Sequence, residues 1–186
     1  MSSWKNPIGF IAGAAVRVVA AGNRAPERLL SPAEIVRLGP IYRASIDYGA
    51  VRVRAPVRGL LGVSRRAFVI QNTLYLPPEF LPLGDEVLVH ELCHVWQHQH
   101  GGHAYIADSL HAQLLGDGYQ LAKGLAEGRA WHQLNCEQQA TLVEEAFVQR
   151  CFEGRPLVIC GVDRSAVLEA ALVELRAGRG AAFSDG

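Results

Sequence analysis

The sequence predicts an α+β domain in which a small β-sheet precedes a mainly helical half. Three observations carry this. The segments VRVRA (51–55), RAFVIQ (66–71) and TLYLP (73–77) are short, alternating or β-rich. From Gly84 onward the apolar residues recur at helical spacing. Prolines at 77, 78 and 82 separate the two regimes, because a residue without an N–H cannot sit inside a sheet ladder. A length of 186 residues suits one domain, and a 49% hydrophobic composition is enough for a core.

Residues 1–27 read as an apolar helix or tail. Lys5 precedes the run IGFIAGAAV (8–16), which superficially resembles a secretory signal. Arg17 interrupts that run and the cleavage site is poor, so a cleavable signal is not expected; a segment docked on the domain or on a partner is. SPAEIVRLGPIYRASI (31–46) opens with Ser31, Pro32 and Glu34, a capping box with proline at the first helical position. Gly39-Pro40 is expected to break this helix, with a second short one after it. The two strands RAFVIQ and TLYLP suggest a hairpin about Asn72. A helix follows from Gly84 to about His100, burying Val87, Leu88, Leu92, Val95 and Trp96 and stopped by Gly101-Gly102. Short helical pieces broken by Gly116, Gly118, Gly124 and Gly128 fill 103–135. EQQATLVEEAFVQRCF (137–152) is strongly helical, and Asp163 caps a last amphipathic helix, RSAVLEAALVELRA (164–177). One domain therefore covers 28–178, with a mobile tail over 179–186.

Composition excludes some functions. Eighteen basic residues balance eighteen acidic ones, with a sequence pI near 7.1, which argues against a nucleic-acid binder. No stretch is long and apolar enough to span a bilayer. Cys93, Cys136, Cys151 and Cys160 form no CxxC pair, so mostly reduced, buried thiols are expected, with a Cys151–Cys160 disulfide as the alternative.

Chemistry enters with HELCH: His90, Glu91, Leu92, Cys93, His94. Residues four apart on a helix share a face, about 40° apart around the axis, so both imidazoles can reach one metal ion. Zinc accepts neutral imidazole at roughly 2.0–2.1 Å in a tetrahedral site. Glu91 lies beside this face, where it can act as general base toward a water the metal activates. This is why the HExxH spacing exists, and a sheet followed by the metal helix is the order of zinc peptidases of the zincin class.

A catalytic zinc needs a third protein ligand and one open position. The extended pattern HExxHxxGxxH would use His100, but Gln97 stands where the turn-forming glycine is required. Without that turn His100 lies about 9 Å from His94 along the same axis at 1.5 Å per residue. The alternative is a carboxylate from NCEQQATLVEEAF (135–147), which offers Glu137, Glu144 and Glu145. Glu144 and Glu145 suit a solvated face, so Glu137 is the choice.

The sequence then resembles a known family, the zinc metallopeptidase effector domains fused to, or encoded beside, the Vgr-related spike proteins of bacterial type VI secretion systems. The resemblance runs from Arg28 to Phe152, about two-thirds of the chain. It rests on RLLSPAEI (28–35), SIDYGAVRV (45–53), TLYLP (73–77), VHELCHVWQHQHGG (89–102) and NCEQQATLVEEAF (135–147). It implies a zincin-like fold, Zn2+ as cofactor, His90, His94 and Glu137 as ligands and Glu91 as the catalytic base. Cys93 departs from the family's usual threonine, and packing is its expected role, as for most free cysteines. The sequence shows no spike module, so a stand-alone protein is expected, either loaded onto a spike or acting inside the producing cell.

The implied activity is peptide-bond hydrolysis by a secretion-associated effector. Its expected partners are a protein or peptide substrate, a spike protein and a cognate immunity protein. Its expected location is the producer's cytoplasm, with delivery to a target-cell periplasm. An oxyanion donor is also needed, and His103, Tyr105, His111, Tyr119 and His132 are candidates, each more often a surface or packing residue. Trp96 and Trp131 are read as core, and Asn135 as a helix cap. A peptide could pair along FVIQNTLYLP by β-augmentation, near Val69 and Gln71. Two alternatives stand beside the peptidase: a non-catalytic, zinc-stabilised adaptor of a secretion assembly, and a zinc amidase acting on cell-wall peptides.

Overall fold

The computed structural model describes residues 26–55, 67–102 and 120–181. Strand β1 (Glu27–Arg28) leads into helix α1 (Pro32–Tyr42), then β2 (Arg52–Arg54), β3 (Phe68–Ile70) and β4 (Thr73–Tyr75). Helices α2 (Asp85–Gly101), α3 (Leu121–Ala126) and α4 (Cys136–Val148) follow, then β5 (Val158–Ile159), β6 (Val162–Asp163) and α5 (Ser165–Arg176). The α+β class is as expected. The four-stranded sheet has the order β1-β2-β4-β3, with β2 parallel to β4 and the other pairs antiparallel. The predicted hairpin is present: Ile70 pairs with Thr73 across Gln71-Asn72, and Gln71 takes the positive φ (56°) that so tight a turn needs.

Helix α1 starts as its sequence dictates. The Glu34 N–H donates to Ser31 Oγ at 3.2 Å, and the Ser31 N–H donates to the Glu34 carboxylate at 2.7 Å. Both arms of the Arg28 guanidinium also donate to that carboxylate at 2.8 Å, tying β1 to the helix. The expected break at Gly39-Pro40 does not occur, and one helix runs through Pro40 to Tyr42. Three features allow this. Gly39 has no Cβ to clash with the proline ring. Ile41 and Tyr42 are fully buried. Arg176 of α5 donates to the Pro40 and Ile41 carbonyls at 2.6 and 3.1 Å, satisfying the helix end. In place of a second helix, a 3₁₀ turn covers Tyr48–Ala50.

Helix α2 opens with Asp85 and Glu86, acidic residues that complement the helix dipole, and Gly102 at φ 69° ends it. Residues 91–97 are buried: α4 packs along one face of the helix, the sheet packs against another, and Trp96 reaches the Leu175 carbonyl of α5. Trp96 and Trp131 are core residues, with ring centroids 5.7 Å apart in an edge-on arrangement. Their indole N–H groups donate to the Leu175 and Arg179 carbonyls.

Helix α4 is shorter than predicted. It ends at Val148, and a left-handed Arg150 (φ 58°) leads into a 3₁₀ turn over Cys151–Glu153. The β5–β6 hairpin, turning at Cys160 and Gly161 with positive φ, lies where no strand was expected. Asp163 acts near its predicted place, accepting the Ser165 N–H at 2.8 Å before α5. Residues 179–181, expected to belong to a mobile tail, are held against the domain: Ala181 is 3% exposed, and Gly180 and Arg179 accept hydrogen bonds from the core. The predicted N-terminal apolar segment through residue 25, the pieces over 103–119 and the tail from 182 lie outside the described residues.

Candidate metal centre

The site is built from two helices. His90 and His94 stand one turn apart on α2, and Glu137 faces them from the second position of α4. Asn135 is the cap of α4, as read from the sequence. Its Oδ1 accepts the Gln138 N–H at 2.8 Å, and Gln138 answers with an acceptor for the Asn135 N–H at 3.2 Å. This fixes the first turn, where a carboxylate is favoured by the unpaired N–H groups and the dipole. The first turn of α4 is buried although its residues are Glu137, Gln138 and Gln139. Such burial is costly unless each polar group has a task.

Glu137 Oε2 lies 3.5 Å from His90 Nε2 and 3.6 Å from His94 Nε2. The three ligand atoms lie within 4.8 Å of one another. Zinc bonds of about 2.0–2.1 Å in a tetrahedron place ligand atoms roughly 3.3 Å apart, so the spacing suits a small cation with little adjustment. Among the described residues this is the one cluster of three such side chains that can hold a metal ion. The His90 side chain is 15% exposed, against 7% for His94 and 1% for Glu137, so the cluster opens to solvent on the His90 side.

The outward nitrogens explain the orientation. His90 Nδ1 lies 2.8 Å from Glu144 Oε2, and His94 Nδ1 lies 2.8 Å from Gln97 Oε1. Both partners are acceptors, so each Nδ1 carries the proton and each Nε2 keeps its lone pair toward the cluster. Glu144 was expected on a solvated face. The structure corrects this, because Glu144 lies seven residues after Glu137, nearly two full turns, and so shares its side of α4. That spacing was available in the sequence. The role of Gln97 was not, because the acceptor it presents depends on where α4 lies.

Glu91 is 6% exposed, and its Oε2 is buried with no hydrogen-bond partner among the described residues. Burial raises its pKa, while the two nearby imidazoles pull the other way. Burial works against charge on His90, but the Glu137 and Glu144 carboxylates outweigh it and push the ring up to about 10. His94 moves in the same direction, burial again opposing and Glu137 prevailing. The same carboxylates favour positive charge between the two rings, and a divalent cation held by the three ligand atoms meets that demand.

His100 lies away from the cluster, with Nε2 2.7 Å from the Ser45 carbonyl and its ring against Trp96. Glu145 accepts from Gln149 at 3.0 Å. Cys93 is fully buried in the core, as expected of a packing residue, and Cys136 is buried, Cys151 half-buried and Cys160 exposed. His132 is exposed on a 3₁₀ turn, in electrostatic reach of Glu174. His103, Tyr105, His111 and Tyr119 lie outside the described residues. Val69 is buried in β3, at the edge of the sheet, and Gln71 stands in the adjoining turn; both have contacts of their own.

Fold and site together define an α+β domain with a half-open His-His-Glu cluster able to hold a metal ion. No known family profile matches the chain. It is 30% identical over 177 residues to the type VI secretion system spike protein VgrG2b of Pseudomonas aeruginosa, a match covering 81% of this chain. The chain spans 17% of that spike protein's length. The solved effector domain of Pseudomonas aeruginosa VgrG2b is 26% identical, with a TM-score of 0.47, covering 78% of this chain and 89% of that one. The chain is thus similar in sequence to part of a type VI secretion spike protein. No helix among the described residues is long and apolar enough to cross a membrane.

Proposed function

We propose that this chain is a zinc-dependent metallopeptidase of zincin-like architecture, with His90, His94 and Glu137 as metal ligands and Glu91 as general base. The observation that carries the reading is the convergence of three ligand atoms beside a buried carboxylate oxygen, Glu91 Oε2, to which no described residue hydrogen-bonds. A site built only to hold a metal has no use for that oxygen.

Zinc in such a site supplies Lewis acidity, polarising a carbonyl and acidifying water near neutral pH. The chain's own residues do the rest. Glu91 Oε2 accepts the proton lost by the attacking water and returns it to the leaving amine. Burial holds the Glu91 pKa above the ordinary carboxylate value, which favours its taking up the proton. Glu144 and Gln97 hold the two imidazoles in the tautomer that presents Nε2.

The homology to a spike protein supports a type VI secretion-associated effector, delivered by association with a spike and acting in a target cell. The test is hydrolysis of an unfolded protein and of a cross-linked cell-wall peptide by the purified chain. The expected result is cleavage of the protein, stopped by a zinc chelator and restored by zinc. Cleavage of the cell-wall peptide alone would make it an amidase. Zinc binding with cleavage of neither would make it a zinc-stabilised adaptor.

A further inference from the structure

Of the two imidazoles, His94 is supported by an amide, and that amide is the first of two. Gln97 and Gln139 are both fully buried. Gln97 Nε2 donates to the Cys136 carbonyl at 2.9 Å and to Gln139 Oε1 at 3.0 Å. Gln139 Nε2 donates to the Trp131 carbonyl at 2.9 Å and to the Gly180 carbonyl at 2.7 Å. All four acceptors are oxygens that cannot donate. Turning either amide over would set oxygen against oxygen in a buried place, where an unmet polar group is costly. The orientation of both side chains is therefore locked. Gln97 Oε1 can only accept, and at 2.8 Å what it accepts is the His94 Nδ1–H.

We infer that Gln97 and Gln139 form a one-way amide relay that positions His94 for the metal, and that the segment 179–181 is a working part of the site through Gly180. The inference rests on the proposed zinc reading. The relay starts at a metal ligand on α2, crosses to the first turn of α4 and ends on the chain beyond α5. That end is itself fastened: the Arg179 carbonyl accepts from Trp131 Nε1 at 3.3 Å, and the Arg179 guanidinium pairs with Glu174 at 2.9 Å. His90 is held differently, by Glu144, whose side chain is one-third exposed. The difference follows from charge. Glu91, Glu137 and Glu144 already place three carboxyl groups around the two rings. A fourth carboxylate behind His94 would be both buried and repelled, whereas an amide accepts the same proton without charge. Gln97 and Gln139 are thus positioning residues rather than catalytic ones.

The experiment measures zinc affinity by chelator competition in full-length native, Gln97→Met, Gln97→Glu and Gln139→Met chains, with thermal melts of each. Nitrogen-labelled, zinc-loaded protein is also inspected for slowly exchanging imidazole N–H resonances. The native chain should show two such resonances, and Gln97→Met should lose one. Gln97→Met is expected to bind zinc roughly 10–100-fold more weakly, the usual cost of removing a ligand's hydrogen-bond partner. Gln139→Met should weaken it less but in the same direction. Gln97→Glu separates positioning from packing. It keeps an acceptor for His94, so its affinity should recover to within a few-fold of native, while its melting temperature falls because the carboxylate faces the Cys136 carbonyl without a proton to give. Native-like affinity and both resonances in Gln97→Met would overturn the relay while leaving the zinc reading intact, as would a Gln97→Glu chain no better than Gln97→Met. A native chain that binds no zinc would overturn the zinc reading and the relay with it.

Discussion

Replacing Glu91 by glutamine is expected to leave zinc bound at near one equivalent and to remove hydrolysis. Glutamine matches the volume of the buried glutamate but cannot take up a proton. Glu91 is not among the three atoms that converge on the cluster, so the metal set is untouched. General-base catalysis contributes on the order of 10²–10⁴ in rate, so kcat should fall by about that factor, or about 3–5 kcal/mol in barrier at 1.36 kcal/mol per decade. The fall should appear in kcat and kcat/KM alike, because the proton moves only in the transition state. Folding should not suffer, since relieving a buried carboxyl of its desolvation is neutral or favourable. A Glu91→Gln chain that hydrolyses at the native rate would remove Glu91 from the mechanism.

Replacing Glu137 by alanine should act on the metal first. Its side chain is 1% exposed, and its Oε2 is the atom both Nε2 groups face. Without it two imidazoles remain, and two ligands do not hold a catalytic zinc. Zinc affinity should fall by more than the roughly 10–100-fold that follows loss of a ligand's hydrogen-bond partner. Competition titration against a chromophoric chelator would measure this, with the Glu91→Gln chain as a control of unchanged affinity. Glu144 lies 2.8 Å from His90 Nδ1, on the far side of the ring from Nε2, and cannot take over without turning that ring. Unchanged affinity in Glu137→Ala would therefore contradict the ligand assignment itself.

Much of the site was legible because its parts are local. HELCH needs only a helix to bring two imidazoles to one face, and the cap at Asn135 with Gln138 three residues on is a local signature too. Glu137 followed from the need for a third ligand and from its place at a helix start. The rejection of His100 followed from helix rise alone, and the structure puts that ring against Trp96 and Ser45. What stayed hidden depends on contacts between distant segments. Helix α1 continues through Pro40 because Arg176, 136 residues away, satisfies its carbonyls. Gln97 looked like a missing glycine until α4 and the chain at Gly180 supplied the partners that turn its amide toward His94. The β5–β6 hairpin escaped notice because its two-residue strands are too short to show alternation.

In the proposed site two imidazoles and one carboxylate of the chain hold zinc and one position stays open. X-ray absorption at the zinc edge of the zinc-loaded native chain tests it most directly. Two nitrogen scatterers of imidazole type at roughly 2.0–2.1 Å, oxygen scatterers at roughly 2.0–2.2 Å and no sulfur are expected. One oxygen position should exchange for an added small anion, as an open site allows. A sulfur shell at roughly 2.3 Å, implicating Cys93 or Cys136, or a fully protein-bound zinc that exchanges nothing, would contradict it.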